Sequence, residues 1–109
     1  RVAVAARLFY LAADLTTGGF AMETRVAVIA VIVENEDAVT ELNALLHQYG
    51  AYIIGRMGVP YRARGVNIIS VVLDAPQDAI SALSGKTGRL EGVSAKTLYS
   101  NVITPIEDR

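Results

Sequence analysis

Residues 26–42, VAVIAVIVENEDAVTEL, and residues 66–83, VNIISVVLDAPQDAISAL, match in kind at nearly every position, with one inserted residue. Each opens on an eight-residue apolar run closed by an acid, Glu34 or Asp74. An apolar run without a polar phase suits a strand covered on both faces. Each run is followed by apolar residues at helical spacing: Val39, Leu42, Leu45, Leu46 and Tyr49 in the first copy, and Ala79, Ile80, Leu83 and Thr87 in the second. Asn35 is placed to cap the first helix with Glu36 and Asp37 in its first turn, and Pro76 sits where a helix start tolerates proline. Gly50 and Gly88 are the expected stops. The chain therefore carries one β-α-β unit twice.

Working outward, strands are expected at about 25–33, 51–58, 66–73 and 93–100. Two β-α-β units in tandem make an α+β, ferredoxin-like βαββαβ sandwich: a four-stranded antiparallel sheet with two helices on one face. Right-handed crossovers put both helices on the same side, with strands 1 and 3 at the centre. SAKTLYS, residues 94–100, carries the lysine and serines of an edge strand. Because the central strands are apolar on both faces, the uncovered face is expected to pack against another protomer. The domain is expected to span residues 22–102, with residues 1–21 an amino-terminal extension and 103–109 a tail.

The 109 residues leave room for one small core. An apolar fraction of 52% with 19% charged residues again favours a covered face. A net charge of −1 gives no overall basic excess of the kind that drives nonspecific nucleic-acid binding. The absence of cysteine removes disulfides, thiol catalysis and thiolate metal sites. The apolar segment VAVAARLFYLAA, residues 2–13, is broken by Arg7 and followed by Asp14, too short to span a bilayer.

Chemistry-bearing motifs are sparse. Gly85-Lys86-Thr87 ends like a phosphate loop, but the earlier glycine would fall at Ile80 and the preceding element is a helix, so Lys86 and Arg89 read as cations near a helix end. His47, the single histidine, belongs to the polar side of the first helix. Glu34 and Glu36 suit helix-start electrostatics better than a catalytic dyad. These readings leave no catalytic residue and no metal site.

The stretch YIIGRMGVPYRARG, residues 52–65, is the exception. It opens as a strand, and Gly58 with Pro60 is expected to end that strand and begin a turn. Simple alternation puts Ile53, Gly55 and Met57 on one face, and Tyr52, Ile54 and Arg56 on the other. Arg56 would then point to the open side of the sheet. The stretch is either a turn with a solvated basic rim, including Arg62 and Arg64, or a pocket near a subunit boundary. In the pocket reading Gly55 and Gly58 allow close approach, Arg56 and Arg62 take an anion, Tyr61 is a wall, and Glu34 and Asp74 are opposing acids at the carboxyl ends of the central strands.

IGRMGVPY, joined to GVNIISVVLDAP and to the return GKTGRLEGVSAKT, resembles the small family of proposed iron-only hydrogenase system regulators, from about Met22 to Ser100. The resemblance implies an ACT-related regulatory domain, similar to the carboxyl-terminal domain of the nickel-responsive repressor, with a role in hydrogenase gene regulation. That repressor holds nickel through histidines and a cysteine, and this chain has only His47, so nickel sensing does not carry over. Residues 1–21 are too short for a ribbon-helix-helix arm, and the chain alone is not expected to bind DNA. The expected protein is a cytoplasmic, non-enzymatic regulatory homo-oligomer, dimer or tetramer, with a small-molecule effector, no cofactor and no membrane partner. The competing reading is an assembly module without a ligand.

Overall fold

The computed structural model describes residues 23–105, with side chains as far as Asn101. The expected extension, 1–21, lies outside the described residues, as does the end of the expected tail. Four strands alternate with two helices: β1 (Glu23–Val33), α1 (Val39–Gln48), β2 (Ile53–Tyr61), β3 (Val66–Ala75), α2 (Gln77–Gly88) and β4 (Val93–Pro105). The sheet order is β2-β3-β1-β4, and every neighbouring pair is antiparallel. This is the expected ferredoxin-like sandwich, with β1 and β3 central.

The pairing register decides which residues share a face, because residues directly opposite in an antiparallel pair point the same way. Ala27, Ile29, Val31 and Val33 of β1 lie opposite Leu73, Val71, Ile69 and Asn67. All but Asn67 are buried under the helices. Leu42 and Leu46 of α1, and Ile80, Leu83 and Thr87 of α2, fill the space above them. Thr87 thus occupies the stripe position expected of it. Truncating one of these fully buried leucines would cost about 2–5 kcal/mol.

Asn35 is a cap, as expected, but of a short 3-10 turn at Glu36–Ala38 that leads into α1, whose own N-cap is Ala38. The Asn35 side chain accepts from the Asp37 backbone N–H at 3.1 Å. The same residue ties two strand ends together. The Asn35 amide donates to the Glu91 carbonyl at 3.5 Å, and the neighbouring Glu34 N–H donates to the Gly92 carbonyl at 2.7 Å. Gly92 has φ +75°, and a Cβ there would stand 2.5 Å from the Cβ of Asn35.

Three expectations need correction. The second strand does not stop at Gly58: it runs through Pro60 to Tyr61, and the turn is Arg62–Arg64 followed by Gly65 at φ +65°. Pro60 is tolerated because β2 is an edge strand, where a missing N–H can face away from the ladder. The helices do stop near Gly50 and at Gly88, but neither glycine is left-handed as a glycine stop usually is: Gly88 is the last residue of α2, which passes into Arg89 in right-handed conformation. Finally, β2 is irregular between Ile53 and Gly55, where the register against β3 shifts.

Gly92→Ala is expected to lose about 2–4 kcal/mol of unfolding free energy in urea titrations, since it adds overlap with Asn35 to the left-handed penalty. Gly65→Ala, with the same sign of φ but open space, should lose only about 1–2 kcal/mol.

Candidate functional sites

The face of the sheet away from the helices is apolar. By register it carries Val26 and Ile32 of β1, Ile68 of β3, Met57, Val59 and Tyr61 of β2, and Leu98 of β4. Leu98 is 73% exposed, Met57 65% and Tyr61 51%. Lys96 and Asp74 share this face, toward different parts of the sheet.

At one end of the sheet, where β1 stops and the β2–β3 turn begins, lies a cleft of about 660 Å³. Glu34 and Glu36 form one wall, Arg62 and Tyr61 another, and Val33 and Asn67 complete it. No ion pair joins Arg62 to either acid among the described residues. The cleft therefore offers groups of both signs to a polar ligand.

A second depression of about 400 Å³ lies between α1 and the β2 edge. Its lining includes Asn43, His47, Ile54 and Arg56. Arg56 donates from Nη2 to the Asn43 Oδ1 at 3.1 Å. This corrects the expectation that Arg56 faces the open side. The irregularity at Ile54 moves the phase of β2 by one residue, so Arg56 lies opposite the buried Val71 and points to the helix side, while Gly55 lies opposite Val72.

The residues expected to share one pocket are accordingly divided. Glu34, Tyr61 and Arg62 meet in the end cleft; Gly55 and Arg56 border the α1 groove; Gly58 lies mid-strand opposite Ile69. Asp74 is at the far end of the sheet, opposite Val26, and its N–H donates to the Tyr52 carbonyl at 3.0 Å. It cannot oppose Glu34, because β1 and β3 run antiparallel and their carboxyl ends are at opposite edges. Neither Gly55 nor Gly58 is demanded by the packing of its own chain: an added Cβ would meet nothing within 4 Å at Gly55 and only Ile69 Cγ1 at 3.9 Å at Gly58.

Asn43 and Asn67 escaped the sequence reading. Asn43 had a faint signal, standing four residues before His47 on the polar side of α1; Asn67 had none, being, with Ser70, one of two polar breaks in an apolar run. Lys86 is indeed near a helix end, where its Nζ donates to the Tyr49 hydroxyl at 3.0 Å and lies 5.3 Å from the ring centroid. Arg25 serves the fold, donating to the Ser100 carbonyl at 3.1 Å and the Gln77 Oε1 at 2.8 Å, with its guanidinium 4.8 Å from the Tyr99 ring centroid. Among the described residues no group of three His, Cys, Asp or Glu side chains could hold a metal ion, and no helix is long and apolar enough to cross a membrane.

Burial pushes the Tyr52 phenol above its ordinary value of 10.0, with a smaller push from Tyr49. The native state thus keeps this proton where the unfolded chain loses it. The stability tied to neutral Tyr52 is complete below 10.0 and falls as pH rises through the raised value. Tyr52→Phe should flatten that alkaline loss in urea titrations on either side of this window, while leaving the dependence near neutrality unchanged.

The family model described as "Iron-only hydrogenase system regulator, putative", TM1266-like, matches residues 25–97. The solved structure of the uncharacterized protein TM1266 from Thermotoga maritima is 38% identical, with a TM-score of 0.67, and the match covers 70% of this chain and 96% of that one. A formyltetrahydrofolate deformylase from Pseudomonas putida KT2440 matches at 13% identity and TM-score 0.53, over 71% of this chain and 29% of that one, a likeness of fold alone. No curated protein matches.

Proposed function

The chain belongs to the TM1266-like family, and we propose that it acts as a non-enzymatic regulatory domain of an iron-only hydrogenase system, self-associating through its open sheet face and binding a small polar effector in the end cleft. The observation that carries the reading is the open face itself. Scattered apolar side chains on a surface need no explanation, but a contiguous patch on the face of a central sheet does. A second copy supplies a matching apolar surface without requiring any other partner, and closed symmetric pairing is the commonest form of such association.

The effector part of the proposal rests on the end cleft. Tyr61 belongs both to the open face and to the cleft wall, so a ligand there would touch the edge of the subunit contact. That gives binding a physical route to assembly, since a ligand favouring one arrangement shifts the population toward it. Arg62 is suited to a carboxylate or phosphate, and Glu34 with Glu36 to an amino group or a hydroxyl. The sparse acid-base chemistry of the chain suits binding better than catalysis, and regulation through a bound partner better than direct contact with DNA.

Light scattering of the full chain at micromolar concentration is expected to give a dimer or larger species. The double variant Ile68→Lys, Leu98→Lys should be a monomer with an unchanged circular dichroism spectrum. A stable wild-type monomer would remove the basis of the self-association reading.

A thermal-shift screen with amino acids, nucleotides and metal ions tests the effector separately. A ligand at a hundred times its dissociation constant adds about 2.7 kcal/mol of apparent stability. That increment should disappear in Arg62→Ala with the ligand-free melting temperature nearly unchanged. A screen with no stabilising compound favours a module that assembles without a ligand.

A further inference from the structure

The geometry points to a second binding site, independent of the end cleft: the groove between α1 and the β2 edge takes the carboxylate of a small aliphatic acid, with Arg56 as its anchor. This inference stands on the protomer alone and does not depend on self-association.

The first support is the backbone irregularity at Ile54. A regular strand would send Arg56 to the open face; the shifted register turns it to the helix side, into this groove. Bulges commonly re-aim a side chain in this way next to binding sites. The second is the state of the guanidinium. Its hydrogen bond goes to the neutral amide oxygen of Asn43 at 3.1 Å, and no Asp or Glu lines the groove. One edge is thereby oriented while the positive charge stays available. A carboxylate approaching the remaining N–H groups meets a donor fork that matches its two oxygens.

The third support is what surrounds the anchor. His47 follows Asn43 by one helical turn and lines the same groove, where an imidazole N–H supplies a further donor. The 58%-exposed Ile54 provides an apolar wall, and the buried Leu46 and Ile53 lie beneath the groove. A bare inorganic anion would leave that wall in water. A branched acid of four or five carbons covers it, each buried methylene contributing about 0.8 kcal/mol.

The test is a ¹H–¹⁵N spectral titration of the full chain with isovalerate, acetate and inorganic phosphate in turn. Isovalerate is expected to move the backbone amides of Gly55 and Arg56 and the side-chain amide of Asn43 in a saturable manner. Acetate and phosphate should each bind more weakly by about fivefold or more, for want of the apolar body. Arg56→Gln should weaken isovalerate by about tenfold, the loss of a charge-assisted hydrogen bond, with its melting temperature close to the wild type. Asn43→Ala, which releases the guanidinium but keeps its charge, should weaken binding by a smaller factor. The inference fails if isovalerate moves no resonance of this groove at millimolar concentration, if the shifts centre on Arg62 and Glu34 instead, or if phosphate binds as well as isovalerate. It also fails if a folded Arg56→Gln variant binds unchanged.

Discussion

Two central strands with no polar face impose the main constraint on this molecule. Ala27, Ile29, Val31 and Val33 on one side of β1, and Val26, Val28, Ala30 and Ile32 on the other, leave no orientation in which the strand can meet water on one side with polar groups. The same is nearly true of β3, where Ser70 and Asp74 are the polar residues on the open side. Two helices of 10 and 12 residues cover one face only. Burial under α1 and α2 builds the core, and the remaining apolar surface stays on the open face, where the proposed self-association would cover it.

The edge strand β2 shows how small backbone devices distribute chemistry over this frame. One irregularity near Ile54 separates Arg56 from the residues that would otherwise be its neighbours on the open face. Pro60 continues the strand where a central position would forbid it, carrying Tyr61 and Arg62 to the end cleft. Gly65, in the left-handed region, then reverses the chain. The result is two depressions on different sides of the protomer, each with its own arginine. A glycine of a different kind, Gly92, closes the α2–β4 connection at the same end of the sheet by letting β4 start against Asn35. The residue that caps the turn leading into α1 and the entry to the second edge strand are therefore one packed unit.

Membership of the TM1266-like family is what the proposed regulatory role builds on. The matched region, residues 25–97, runs from the first strand to the last and includes both depressions. The fold alone carries no function, as the distant likeness to a deformylase of different size illustrates.

The sequence by itself determined the architecture: the duplicated apolar run and helical stripe implied two β-α-β units, the all-apolar strands implied central positions, and Lys96 with its flanking serines marked the edge. Asn35, Pro76 and Thr87 were legible for the same reason, since capping and helical spacing are local and act over a few residues. Tertiary structure alone decided where the candidate site residues point and which of them meet. The phase of β2 depends on a one-residue irregularity in its pairing with β3, and strand alternation counted along a single segment cannot reveal it. Glu34 and Asp74 both end apolar runs, yet antiparallel pairing carries them to opposite ends of the sheet. Periodicity is a property of one segment, whereas a site is a property of the register between segments, and here that register assigned Arg56 to α1 and Arg62 to the end of β1.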